Sequence, residues 1–201
     1  MKKLLFVAVV LAICSPILAN PFTPPSVNTA TKPNAAPNKK QSIQFMHSAG
    51  IGYLAVFDDV DGLGGWAAAY TPMLVKPTSK YSGLALTAPL LFSASISSQY
   101  GTSAIIDLPV TIEYGFGYGS TEKAYKKDFG MFIGAGAGAT VVSAGYYTGG
   151  AFLSSTVYAG GRFEIADRPI DLRFGYGFAL GETWKGVNKF NMTACYILSY
   201  Q

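Results

Sequence analysis

The sequence predicts an all-β protein, an eight-stranded antiparallel up-and-down transmembrane β-barrel, on three observations. Eight segments alternate large apolar with small or polar residues at a period of two, the period of a strand. Charged residues make up only 13% of the chain, against about 25% in an ordinary soluble domain. No charge falls on the apolar face of any segment.

The one long apolar run opens the chain. Lys2 and Lys3 precede "LLFVAVVLAI", and a small residue follows at Ala19. Residues 1–19 are therefore expected to be a signal peptide cut after Ala19. A lipoprotein signal ending before Cys14 is the alternative, with bulky Ile13 where a small residue is expected. Residues 20–41, "NPFTPPSVNTATKPNAAPNKKQ", hold too few large apolar residues to fold and read as a flexible leader. The barrel is expected over residues 42–201. Once Lys2 and Lys3 leave, the formal charge falls from +4 to +2, so nucleic acid is not implied as a partner.

The segments follow in order. Ile51, Tyr53, Ala55 and Phe57 oppose Gly50, Gly52 and Leu54 in the first. Trp66, Ala68, Tyr70 and Leu74 line the second. The third is expected from Leu84 to Ile96, with Leu86, Leu90 and Phe92 opposite Thr87, Ser93 and Ser95. The fourth sets Ala104, Ile106, Leu108, Val110, Ile112, Tyr114, Phe116 and Tyr118 against Asp107, Thr111, Glu113, Gly115 and Gly117. In the fifth, Phe129, Met131, Ile133, Ala135 and Ala137 oppose Gly130, Gly134, Gly136 and Gly138. The sixth opposes Val157, Ala159, Phe163 and Ile165 to Thr156, Tyr158, Arg162 and Glu164. Ile170, Leu172, Phe174, Tyr176 and Phe178 face away from Asp171, Arg173, Gly175 and Gly177 in the seventh. The eighth sets Phe190, Met192, Ala194, Tyr196 and Leu198 against Lys189, Asn191 and Thr193. Each has about the length of a tilted membrane strand.

"DDVDGLG", "SSQYGTS", "SAGYYTGGAF" and "GETWKGVN" read as loops at one end, and "KPTSKYS", "STEKAYKKD" and "DRP" as turns at the other. Which face lies outside is decided by the charges. Asp107, Glu113, Arg162, Glu164, Asp171, Arg173 and Lys189 share the face of Gly, Ser and Thr. Those residues suit a narrow packed lumen, whereas a soluble barrel would carry Lys and Glu outside. Trp66, Tyr114, Phe116, Tyr118, Phe178, Phe190 and Tyr200 fall where interfacial aromatic girdles would sit. Hydrocarbon tolerates strands only in a closed sheet, because each unpaired backbone group there costs several kcal/mol. Pro89 and Pro109 remove ladder donors and demand a bulge, a strand end or a water-facing place.

"IIDLPVTIEYGFGYG", "FGMFIGAGAGATV", "RFEIADRPIDLRFGYGFAL" and a last strand ending at Tyr200 resemble the small outer-membrane β-barrel domain proteins of bacteria with two membranes, over roughly residues 43 to 200. The resemblance implies an outer-membrane location, contact with outer-membrane lipid, and a terminal aromatic offered to the barrel assembly machinery.

Catalytic and metal chemistry finds little support. His47 is the single histidine, so a site of several histidines is impossible; with Ser48 it is the one place where a lipid-modifying site could grow. Asp58, Asp59 and Asp61 lack the alternating register and distant Glu of a calcium loop. "GAGAGA" has no phosphate-cradle motif, and "NMT" at 191–193 lies inside an expected strand. Cys195, the one cysteine left after export, reads as a small hydrophobe. No cofactor or metal is expected. The lumen charges must pair, since an isolated buried ion is very costly. Arg162 and Arg173 are expected to pair with some of Asp107, Glu113, Glu164 and Asp171, as a plug that stiffens the barrel or as a gate for small ions. The expected role is non-catalytic: a monomeric structural or adhesive barrel that meets a surface ligand through its loops, with Tyr146 and Tyr147 foremost. The alternatives are passage of small hydrophobic molecules or ions, a lipid-modifying enzyme using His47, and a soluble secreted binder.

Overall fold

A computed structural model describes residues 43–59, 61–97, 101–121, 124, 129–144, 147–166 and 168–200. The expected signal peptide and leader lie outside the described residues. The strands are β1 (Gln44–Phe57), β2 (Gly62–Pro77), β3 (Ser82–Thr87), β4 (Leu90–Ser97), β5 (Gly101–Gly117), β6 (Phe129–Ala144), β7 (Tyr147–Ile165), β8 (Arg168–Leu180) and β9 (Asn188–Tyr200). Every pair is antiparallel, and β1 meets both β2 and β9, so the sheet closes on itself. β3 and β4 share one position between β2 and β5, which makes a ring of eight.

The expected third segment is thus two strands, with the break at the proline that demanded one. β3 stops at Thr87 and β4 starts at Leu90, because Pro89 cannot donate to a ladder. Pro109 sits opposite the same interruption, between Thr111, which pairs Thr87, and Asp107, which pairs Leu91. The carbonyl of Leu108 lies against Gly138 of β6, so the ring nitrogen of Pro109 faces the other way, into the break. Ala88 closes part of the gap by donating its N–H to the Pro72 carbonyl at 3.2 Å. The two prolines thus share one defect in the wall.

The faces divide as the alternation predicts. Ile112 is 64% exposed, Ile133 66% and Trp66 75%, with Leu86, Phe174 and Tyr114 also pointing outward, while Arg173 is 1% exposed on the inside. The exterior is a belt of Leu, Ile, Val and aromatic side chains, the surface that hydrocarbon would wet. Tyr118 departs from the expected girdle. The strand ends at Gly117, whose φ of 77° turns the chain inward and buries the Tyr118 ring. The expected loop "SAGYYTGGAF" is mostly strand, since β6 runs to Ala144, β7 starts at Tyr147, and these two residues pair. Tyr146, named as a contact residue, lies outside the described residues.

Inward glycines are spacers for bulky neighbours. A Cβ on Gly160 would lie 2.3 Å from the Phe132 ring, and one on Gly175 2.5 Å from the Tyr158 ring. A narrow barrel has room for large side chains only where the facing residue has none.

Candidate functional site

The lumen is built in layers. In the middle, three carboxylates meet three cations, and the layer is electrically neutral. Arg173 donates Nη2 to Asp171 Oδ2 at 2.9 Å, Nε to the same oxygen at 3.0 Å, and Nη1 to Glu113 Oε1. Glu113 Oε1 also accepts from Thr87 at 2.8 Å. Arg162 stands 3.6 Å from Asp171 and 3.7 Å from Glu113. Both guanidinium groups lie over the Phe132 ring, at 4.7 Å for Arg162 and 4.5 Å for Arg173, so one quadrupole faces two cations. Met73 Sδ accepts weakly from both. Further along, Lys189 Nζ donates to Asp107 Oδ1 at 2.6 Å, and Thr140 donates to the same oxygen at 2.7 Å. The strands dictate this meeting: Asp171 is paired in register with Arg162 across β7 and β8, and Thr140 with Asp107 across β5 and β6.

The turn end is closed by chain. Tyr118, Ser120, Thr121 and Ala124 are all buried. Arg162 Nη1 donates to the Gly119 carbonyl at 3.0 Å, and Thr121 Oγ1 to the Lys80 carbonyl at 2.8 Å. Tyr118 donates its hydroxyl to Glu164 Oε2 at 3.3 Å. Its burial, and then the Glu164 carboxylate, push the phenol well above the ordinary tyrosine range.

The loop end is apolar and open. Leu54, Val56, Ala67, Leu91, Ile105, Val142 and Phe152 form a buried collar within the barrel. Above it lies a cavity of about 450 Å³ lined by Val56, Leu63, Val142, Val187 and Trp184, with Asp58 and Asp61 also on its lining. Trp184 sits in the 3-10 turn Glu182–Trp184, and its ring packs 5.1 Å from that of Phe152. Gly150 makes this possible, since a Cβ there would lie 2.4 Å from the indole.

No protein-family model matches the chain, and no curated protein matches it. Among solved structures, Neisserial surface protein A is 12% identical, with a TM-score of 0.52 over 77% of this chain and 96% of that one. This chain has the fold of a small outer-membrane β-barrel. Ail, the attachment invasion locus protein of Yersinia pestis, solved with the heparin analogue sucrose octasulfate, is 16% identical; the match has a TM-score of 0.49 and covers 78% and 99% of the two chains. The outer membrane protein OprG from Pseudomonas aeruginosa is 10% identical, with a TM-score of 0.37 over 80% and 95%.

Within this outer-membrane fold the residues named from sequence divide as follows. Glu113, Asp171, Arg162 and Arg173 come together, and Asp107 joins Lys189 rather than an arginine. Glu164 stays out of the network: it is exposed at the turn end, where it holds Tyr118. His47 stacks on Phe45 with 5.5 Å between ring centroids, and its Nδ1 lies 3.1 Å from the Tyr70 hydroxyl. Ser48 is fully buried on the inner face, so the two neighbours look to opposite sides of the wall. Alternation alone missed Phe132, Met73 and the apolar collar. Leu54, Leu91 and Ile105 stand at inward parity, and that signal was available in the sequence.

Proposed function

We propose that this chain is a non-catalytic outer-membrane barrel, exported on a cleaved signal peptide at residues 1–19, that is closed to ions and acts at the cell surface through its loop end, in a structural or adhesive role. The observation that carries this reading is the double closure of the lumen. The neutral ion-pair layer fills its middle, and residues 118–121 are tucked into its turn end. Eight strands leave an interior that side chains fill, and among the described residues the mid-lumen layer balances its three carboxylates against three cations. The placement of His47 and Ser48 on opposite faces speaks for a non-catalytic role. Reconstituted in planar bilayers, the wild-type barrel is expected to carry no steady current; a persistent step conductance overturns the closed lumen. Cells displaying the chain with residues 58–61 and 182–187 replaced by Gly-Ser are expected to lose attachment relative to wild type. Attachment equal in cells with and without the protein removes the adhesive role.

A second reading, passage of a small hydrophobic molecule from the loop-end cavity sideways into the bilayer, is favoured by the interruption that Pro89 and Pro109 share in the wall. Uptake of an apolar dye into cells should then fall when Pro89→Val and Pro109→Val restore donors to the ladder. Unchanged uptake removes this route.

A further inference from the structure

Among its described lining residues the loop-end cavity combines an apolar wall with charge of one sign. Val56, Leu63 and Trp184 give hydrocarbon and indole surface, while its charged lining residues, Asp58 and Asp61, are both acidic. The flanking loop residues add Asp59 and Glu182 against Lys185. The cation beneath the collar is committed elsewhere, since the Lys189 ammonium is held by Asp107. An anionic group entering the cavity would meet like charge, whereas a cation would meet two carboxylates and an indole, the aromatic that attracts cations best.

Both sides are held in place before any ligand arrives. Asp58 N–H donates to the Asp61 carbonyl at 2.9 Å, and Asp61 N–H returns a bond to Asp58 Oδ1 at 2.8 Å. Trp184 is fixed over Gly150 against Phe152. A wall that is already ordered loses little entropy on binding. The volume, about 450 Å³, lies within the usual range of roughly 300–1,000 Å³ for small-molecule sites.

We propose that this cavity is a binding site for small organic cations, aryl- or alkyl-ammonium compounds, whose apolar body packs on Trp184 and the valine wall while the ammonium group faces Asp58 and Asp61. The site goes beyond the surface role and does not depend on it, because a barrel with no adhesive partner would still hold this cavity.

The chain has two tryptophans, Trp66 and Trp184, so a Trp66→Phe variant reports from the cavity alone. The refolded full-length variant is titrated with phenethylammonium, phenethyl alcohol and 3-phenylpropionate, and Trp184 emission is read. The ammonium is expected to give a saturable change at a concentration on the order of tenfold lower than the carboxylate requires. Adding Asp58→Asn and Asp61→Asn, which keep the Oδ1 acceptor of the loop, is expected to weaken the ammonium about tenfold and leave the alcohol unchanged. Heat-dependent gel mobility confirms the fold, and Asp61→Asn alone supplies the comparison should the double variant not refold. The absence of a saturable change with the ammonium, equal affinity for the carboxylate, or undiminished binding in the Asn variants overturns the proposal.

Discussion

At the scale of single residues, Arg173 shows why the buried ions are worth keeping together. It is fully enclosed and gives three hydrogen bonds to two carboxylates, so Arg173→Ala leaves the buried Glu113 and Asp171 to share Arg162 alone, at 3.7 and 3.6 Å. That variant is expected to lose about 3–5 kcal/mol in urea unfolding from lipid vesicles. Removing both members of the Lys189–Asp107 pair, as Lys189→Met with Asp107→Asn, is expected to cost less than Lys189→Met alone. A double variant weaker than the single one would show that the pair is worth more than its desolvation. Tyr118 supplies a pH signature. Its phenol is raised in the fold by burial and by Glu164, so the neutral form is favoured when folded. The unfolded chain ionises first, and stability falls as pH rises through the ordinary tyrosine value of about 10. Tyr118→Phe should lessen that alkaline loss, measured as the change in urea midpoint between pH 9 and pH 11. These roles were partly legible. Period-two parity put Arg162 and Arg173 inside, but it also put Glu164 there. Parity names a face and not a depth, and Glu164 lies too near the turn to be covered.

At the scale of elements, the interrupted wall is the feature to test. β6 has a paired neighbour on both sides along Ile133–Ala137, whereas β3 and β4 end on either side of Ala88 and Pro89. Amide exchange is expected to be faster at Ala88, Leu90 and Leu91 than at Ile133–Ala137. Equal protection would mean that the two prolines cost the ladder nothing. The sequence marked both prolines as misfits, yet it could not reveal that they face one another. Their juxtaposition depends on the register of β5 against β3 and β4, which is set by the whole ring. Residues 143–152 differ from the expected loop for a related reason. Gly and Ser there look like turn residues, but pairing to β7 carries the strand to Ala144.

At the scale of the whole molecule, closure of the sheet removes every edge, and unfolding must break the ring. In gels of the membrane fraction the barrel is expected to run at an anomalous mobility until boiled; mobility indifferent to heat would count against a closed barrel. The sequence by itself determined the fold class, the number of positions around the ring and the direction each strand face looks, because alternation and charge placement are local properties of an extended chain. The tertiary structure decided what a single strand cannot encode: which carboxylate meets which cation, how residues 118–121 stop the turn end, and how Gly150 lets Trp184 cover an acidic, apolar-walled cavity. Those contacts join residues far apart in the chain, and only the stagger of the closed ring brings them to one level.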